Sequence, residues 1–278
     1  MSRTLTLGYS PCPNDTYIFY ALTHGKLQLD QFRIEERLED VETLNQLALA
    51  DQLDLTKISY HALGHLRDEY ALLRSGGALG RGCGPLVVAT APTEMAELKG
   101  KRIAIPGKLT TANLLLQLYG AGYEELLILP FDQIMPALQN GDAAAGVIIH
   151  ESRFTYQQMG FYQVLDLGSW WEEETGRPIP LGGILAKRSL GTETIAAVDR
   201  AIRQSLEYAN AHPQQPRDYI KSHSQELDDD VINSHIGLYV NDFSLDLGTE
   251  GIEAVTTLLQ RAEARGLIPG CDKPLIVS

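Results

Sequence analysis

Short apolar runs alternate with helical periodicities through the first two thirds of this 278-residue chain, and then the alternation stops. Strand-like segments at 4–9, 33–38, 54–58, 70–74, 85–90, 102–105, 126–129 and 144–149 are interleaved with helix-like ones at 15–24, 41–49, 60–67, 111–119 and 132–140. Such a βαβα rhythm predicts parallel sheets with helices on their faces. Asn14 or Asp15 is the expected N-cap of the first helix, and Gly25 ends it. After a last strand at 184–187 the pattern is almost wholly helical, at 194–211, 217–222, 228–240 and 248–265.

Two βα halves followed by a helical tail predict two lobes. The strand at 85–90 would carry the chain out of the first lobe, and 182–187 would carry it back. The expected division is 1–90 with 187–278 in lobe one, and 91–186 in lobe two. A double crossing makes a hinge with a central cleft. Ligands in open α/β sheets bind beyond the carboxyl ends of strands, so residues just after strands are the candidates.

The charge balance narrows the partners. Lys and Arg number 23 and Asp and Glu 36, a net charge of −13. A surface this acidic repels phosphate backbones and anionic lipid heads, so neither nucleic acid nor membrane is an expected partner. The longest apolar stretches fall far short of the ~18–20 residues that cross a bilayer. With Met1 as the start, no secretory leader is readable, and a cytoplasmic location is expected. Cys12, Cys83 and Cys271 are widely spaced and form neither a disulfide framework nor a metal pattern.

Four segments after strands carry chemistry. Ser10-Pro11-Cys12-Pro13-Asn14-Asp15-Thr16 is a proline-fixed turn into a helix, whose free amides at Asn14 suit a carboxylate. Thr56-Lys57-Ile58-Ser59-Tyr60 offers a cation, with Ser59 placed to cap the next helix. Pro106-Gly107-Lys108-Leu109-Thr110-Thr111-Ala112 joins a glycine turn and hydroxyls to a helix start. It is not a Walker A loop, because Arg102 and Leu109 occupy the positions of its first Gly and its Ser/Thr. In Ile148-Ile149-His150-Glu151-Ser152-Arg153-Phe154, His150 ends an apolar strand, where it can serve as a base near neutral pH. Glu151 or Ser152 could orient its ring, Glu151 less well because neighbours on a strand face opposite ways. The other histidines, His235 among them, fit structural roles on helices. His61 and His65 have the i, i+4 spacing of metal ligands, but Ala62 follows His61, further ligands are lacking, and no metal site is expected.

The segments Ser-Pro-Cys-Pro-Asn-Asp-Thr, Leu-Glu-Asp-Val-Glu-Thr-Leu-Asn, Thr-Lys-Ile-Ser-Tyr, Arg-Ser-Gly-Gly-Ala-Leu-Gly-Arg-Gly, Ile-Ile-His-Glu-Ser-Arg-Phe-Thr-Tyr and Tyr-Val-Asn-Asp-Phe-Ser-Leu-Asp occur in fixed order. In them the chain resembles the 1,4-dihydroxy-6-naphthoate synthase family of the futalosine route to menaquinone, from residue 5 to about residue 265. The resemblance implies an α/β, two-lobed fold like the type II periplasmic binding proteins, with a central cleft. It implies conversion of cyclic dehypoxanthine futalosine into 1,4-dihydroxy-6-naphthoate and dihydroxyacetone, without organic cofactor or metal. It makes His150 the catalytic base. It places substrate contacts at Lys57, Ile58, Ser59, Thr110, Thr111 and Ala112, with Asn45 as a further candidate. The substrate carboxylate is then expected at amides and hydroxyls of Thr110–Ala112 or of Ser59 and Tyr60. The sister family that dehydrates chorismate shares the fold, but the Ser-Pro-Cys-Pro-Asn-Asp and His-Glu-Ser-Arg motifs fit the naphthoate synthases better. A solute-binding protein of the same fold without catalysis is the alternative from another class. The readable lack of a leader and the histidine at a strand end speak against it. An effector-binding lobe of a regulator is a weaker rival, because neither a helix-turn-helix nor a basic face is readable.

Overall fold

A computed structural model describes residues 3–29, 31–120, 122–123, 125–150, 152–224 and 228–277. The chain begins with β1 (Arg3–Tyr9), α1 (Pro13–Thr23), β2 (Phe32–Leu38), α2 (Val41–Leu49), β3 (Leu55–Ser59), α3 (Tyr60–Leu66), β4 (Tyr70–Leu72) and β5 (Ala78–Gly80). It continues through β6 (Leu86–Ala89), β7 (Arg102–Ile105), α4 (Thr111–Tyr119), β8 (Glu125–Ile128), α5 (Ile134–Asn140), β9 (Ala145–Ile148), α6 (Ser152–Thr155), β10 (Tyr162–Asp166) and α7 (Leu167–Thr175). It returns along β11 (Ile179–Lys187) and ends in α8 (Thr192–Ala211), α9 (Arg217–His223), α10 (Asp229–Tyr239), α11 (Asp242–Leu245) and α12 (Gly248–Ala264).

Two sheets result. The first has the order β2-β1-β3-β11-β4, with β5 also paired to β11, and the second β10-β6-β9-β7-β8. In the first sheet β1 runs parallel to β2 and β3, while β11 is antiparallel to β3, β4 and β5. In the second, β7 is parallel to β8 and β9, while β6 is antiparallel to β9 and β10. The sheets are therefore mixed, not purely parallel as the βαβα rhythm predicts. The strands that break the pattern follow a crossing between sheets. No helical crossover precedes them within their own sheet, and only such crossovers oblige strands to run parallel.

The crossings also differ from expectation. All four residues of β6 are buried, and the strand lies between β10 and β9 in the second sheet. β11 belongs to the first sheet from Ile179 onward. The chain thus passes between sheets in the loops at 81–85 and 176–178. A division at 90 and 187 assigns β6 and most of β11 to the wrong sheet. A strand with neighbours on both edges saturates its backbone groups inside one sheet, so the passage falls in the irregular segments instead. These are pinned: the Arg153 guanidinium donates to the Gly84 carbonyl, and Trp171 Nε1 donates to Pro178 O at 3.1 Å.

The helices cover the sheets by burying apolar faces. Ile18, Phe19 and Leu22 of α1 pack with Val198, Ile202 and Leu206 of α8 over the first sheet. Ile134 and Leu138 of α5 pack against Val88 and Ile148 of the second. A third apolar cluster runs without a break from Ile58 and Leu63, through Leu114 and Leu115 of α4, to Trp171, Val255 and Leu258. Among the described residues, no helix is long and apolar enough to cross a membrane.

Gly84 lies against the backbone of Gly168 at the start of α7, and a Cβ there would sit 2.3 Å from Gly168 Cα. Backbone cannot swing aside as a flexible side chain can. Gly84→Ala is expected to cost about 1–3 kcal/mol of stability, seen as a lower urea midpoint; an unchanged midpoint would mean that the crossing segment yields freely.

Candidate active site

A cleft of about 750 Å³, its open mouth included, lies where the two sheets face each other. β1 and β3 are neighbours in parallel, with Leu7 opposite Leu55 and Gly8 opposite Thr56. The turn leaving β1 therefore emerges beside β3, and this juxtaposition places Asp15 of α1 against Lys57 of β3. Lys57 Nζ lies 3.1 Å from Asp15 Oδ1 and donates to Gly76 O at 2.7 Å. The two side chains are 6% and 3% exposed. Asp15 also accepts from Ser10 Oγ at 2.8 Å, Ser10 N at 3.3 Å and Asn14 Nδ2 at 2.8 Å.

This arrangement revises the first helix start. Cys12, in extended conformation, is the N-cap of α1, and Pro13 opens the first turn. Neither Asn14 nor Asp15 caps. A proline at the first helical position gives up an amide that would have no partner anyway, and the carboxylate is drawn to the buried ammonium instead. Ser59 likewise makes no capping bond to α3. Its amide and hydroxyl are held by Asn45, with Ser59 N donating to Asn45 Oδ1 at 3.1 Å and Asn45 Nδ2 to Ser59 Oγ at 3.3 Å.

The second sheet contributes the start of α4 and the end of β9. Thr110 is the N-cap of α4: its hydroxyl accepts from Asn113 N at 3.2 Å and donates to Gly107 O at 2.9 Å. Thr111 Oγ1 donates to Leu181 O at 2.6 Å and accepts from Tyr60 N at 2.9 Å, so it ties α4 to β11 and α3. Both hydroxyls and the Tyr60 amide are therefore committed within the protein, contrary to the expectation that they meet a carboxylate. What this turn offers is the amides of Thr111 and Ala112, which have no intrahelical carbonyl to bond. Across the same gap, the Glu42 carboxylate of α2 accepts from Leu109 N at 3.1 Å.

His150 follows β9 with φ +57°, in the left-handed region that non-glycine residues rarely occupy. Holding it there costs roughly 1–3 kcal/mol, and such strain concentrates where a side chain must be aimed. The ring meets Phe131 edge-on at 4.9 Å, and Nδ1 lies 3.5 Å from Cys12 Sγ. The imidazole thus reaches from the second sheet to the first turn after β1. Cys12 is a ring neighbour that sequence reasoning did not offer; Glu151 lies outside the described residues.

Of the sequence candidates, Asn14, Lys57, Ile58, Ser59, Thr110, Thr111, Ala112 and His150 all line the cleft. Asn45 does not; it is fully buried behind Ser59 and positions it. Arg153, paired to Asp166 at 2.8 Å, Asp15, and His235 and Tyr239 of α10 also line it. Asp15 could have been anticipated, as an acid after β1 beside a cation on β3. His235 carried no such signal, because the fold alone brings the helical tail to the cleft. His61 lies outside the lining, with Nδ1 3.3 Å from Thr110 O, and burial lowers its pKa to about 4. Among the described residues, no group of three or more His, Cys, Asp or Glu is placed to hold a metal.

Two mixed sheets joined by a double crossing, with an imidazole aimed into the cleft between them, define an enzyme built on a periplasmic-binding-protein-like fold. A periplasmic aliphatic sulphonate binding protein from Escherichia coli shares that architecture at TM-score 0.68, with 14% identity, 99% of this chain and 91% of that one covered. The chain belongs to the menaquinone biosynthesis family, whose model matches residues 5–264. A relative from Thermus thermophilus, named 1,4-dihydroxy-6-naphthoate synthase, is 55% identical over 99% of this chain and 100% of its own. A crystal structure of an Archaeoglobus fulgidus protein superposes at TM-score 0.90, with 38% identity over 95% of this chain and 98% of that one.

Two expectations follow from the electrostatics. Asp15→Asn leaves the Lys57 ammonium buried without its counter-charge and should cost about 3–5 kcal/mol in urea unfolding; a cost below about 1 kcal/mol would mean that water reaches the pair. Burial also holds His235 neutral, with its pKa near 3. In the unfolded chain, His61 and His235 take up a proton near pH 6.5. The unfolded state then binds more protons, so stability falls as pH drops from about 6.5, by about 1–2 kcal/mol per histidine between pH 7 and 5. His61→Asn should flatten that fall; the same slope in the variant would assign it to other groups.

Proposed function

We propose that this enzyme of menaquinone biosynthesis converts cyclic dehypoxanthine futalosine into 1,4-dihydroxy-6-naphthoate and dihydroxyacetone, with His150 as general base. The observation that carries the reading is the left-handed backbone of His150, which aims its ring into the cleft. The substrate joins an aromatic carboxylate to a spiro-fused sugar. Release of the sugar carbons requires one proton removed and one C–C bond broken, and aromatisation of the new ring drives the step. A single base with a few hydrogen-bond donors suffices.

The carboxylate binds at the amides of Thr111 and Ala112, where the positive end of α4 favours an anion. Walls supplied by Val41, Ile58 and Ile149 suit the aromatic ring. The two lobes, one around each sheet, close over the substrate and exclude water from the intermediate. A cytoplasmic location fits the kinship with a biosynthetic family.

Incubation with cyclic dehypoxanthine futalosine should yield the naphthoate chromophore. Binding without product would instead point to a solute-binding protein. His150→Asn should fold and bind substrate, with kcat lowered at least about a hundredfold, roughly 3 kcal/mol. A folded variant that keeps most of its turnover would move the base elsewhere in the cleft.

A further inference from the structure

His235 enters the cleft from α10 and is 1% exposed. Its ring lies nearly parallel to that of His150, at 14° and 6.4 Å between centroids, with Tyr239 4.7 Å away on its own helix. Which of its nitrogens carries the proton follows from a chain of partners that begins at Lys57. The Lys57 ammonium can only donate, and Asp15, paired to it, is an acceptor on both oxygens. The Asn14 group 2.8 Å from Asp15 must then be the amide NH₂. The other end of Asn14, its carbonyl oxygen, faces His235 Nε2 at 3.0 Å. A carbonyl only accepts, so Nε2 bears the hydrogen. In a neutral imidazole this leaves a lone pair on Nδ1. Burial and the neighbouring His150 keep the ring neutral throughout the working pH range. Nδ1 is buried and has no hydrogen-bond partner among the described residues.

A neutral acceptor in this place discriminates. It repels a carboxylate or carbonyl oxygen and accepts an O–H or N–H. The substrate of the reaction proposed above carries its hydroxyl donors on the sugar, while its carboxylate belongs with the amides of α4. We propose that His235 Nδ1 accepts a hydrogen bond from a sugar hydroxyl of the substrate, and so orients the sugar carbons that are released beside His150. The inference rests on the reading of this cleft as the substrate site. Lys57, Asp15 and Asn14 are then positioning residues for His235, acting through the tautomer that they impose.

Nitrogen-15 NMR of histidine-labelled protein tests it, with His235 assigned by its loss in His235→Gln. In the free wild type, His235 should be neutral and protonated at Nε2 from pH 5 to 8. Adding cyclic dehypoxanthine futalosine to the His150→Asn variant should move the Nδ1 resonance upfield, as acceptance of a hydrogen bond does. In kinetics, His235→Gln keeps a donor toward Asn14 and removes the acceptor at Nδ1. It should raise KM by about five- to tenfold, and an analogue lacking the contacted hydroxyl should lose that same factor with wild type but not with the variant. An Nδ1–H tautomer, an Nδ1 resonance unmoved by substrate, or a KM within twofold of wild type would each overturn the proposal. If His235→Gln fails to fold, the wild-type tautomer and the substrate titration decide. Should wild type form no naphthoate, the reading of the reaction falls separately, while the tautomer result stands.

Discussion

The cleft is organised around the ion pair of Lys57 and Asp15. Two charges taken out of water cost several kcal/mol each, and their attraction offsets this only when the remaining donors and acceptors are also satisfied. Here most are: Gly76 O takes a second Lys57 proton, and Ser10 and Asn14 donate to Asp15. The pair therefore fixes more than its own position. It locks the start of α1, which follows β1, onto β3, orients the Asn14 amide, and through it reaches the helical tail. A pair of apolar residues could hold the strand ends as firmly, but would carry no directional information to Asn14.

A second layer of fixation crosses between the sheets. Thr111 ties α4 to α3 and β11, and Glu42 accepts from Leu109 across the same gap. The ring of His150 reaches from β9 to Cys12. Solute-binding proteins of this architecture need only close around a ligand. This cleft also holds the imidazole of His150 at a fixed place, on a left-handed backbone beside Phe131 and Cys12.

Much of this was legible in the sequence. Apolar runs bounded by turn residues marked most strands, and the rule that ligands sit beyond strand ends singled out Lys57, Ser59, Thr110, Thr111 and His150. Ile58 and Asn45 came from the resemblance alone. The parts missed have physical reasons. Ala78–Gly80 sits in a glycine-rich loop and becomes a strand only because β11 offers it an edge. Tyr162–Asp166 is a half-exposed edge strand with a register shift, so its apolar alternation is weak. Asp15 looked like a helix cap because the local signal for capping outweighs a partner 42 positions away in sequence. His235 had no local signal at all, since its importance lies in what the other end of the chain brings to it.

The double crossing also bears on how the chain assembles during synthesis. All the strands of the second sheet lie within residues 86–166, so that sheet can close as soon as they emerge. The first sheet cannot. Its member β11 separates β3 from β4 and arrives only at Ile179–Lys187, and the α8 face that covers α1 comes later still. The amino-terminal strands must wait for a partner more than a hundred residues downstream of β3. Until it comes, the apolar edge of β3 is left unpaired, a state prone to wrong association. The nascent protein thus depends on whatever shields that edge until residue 187 has left the ribosome.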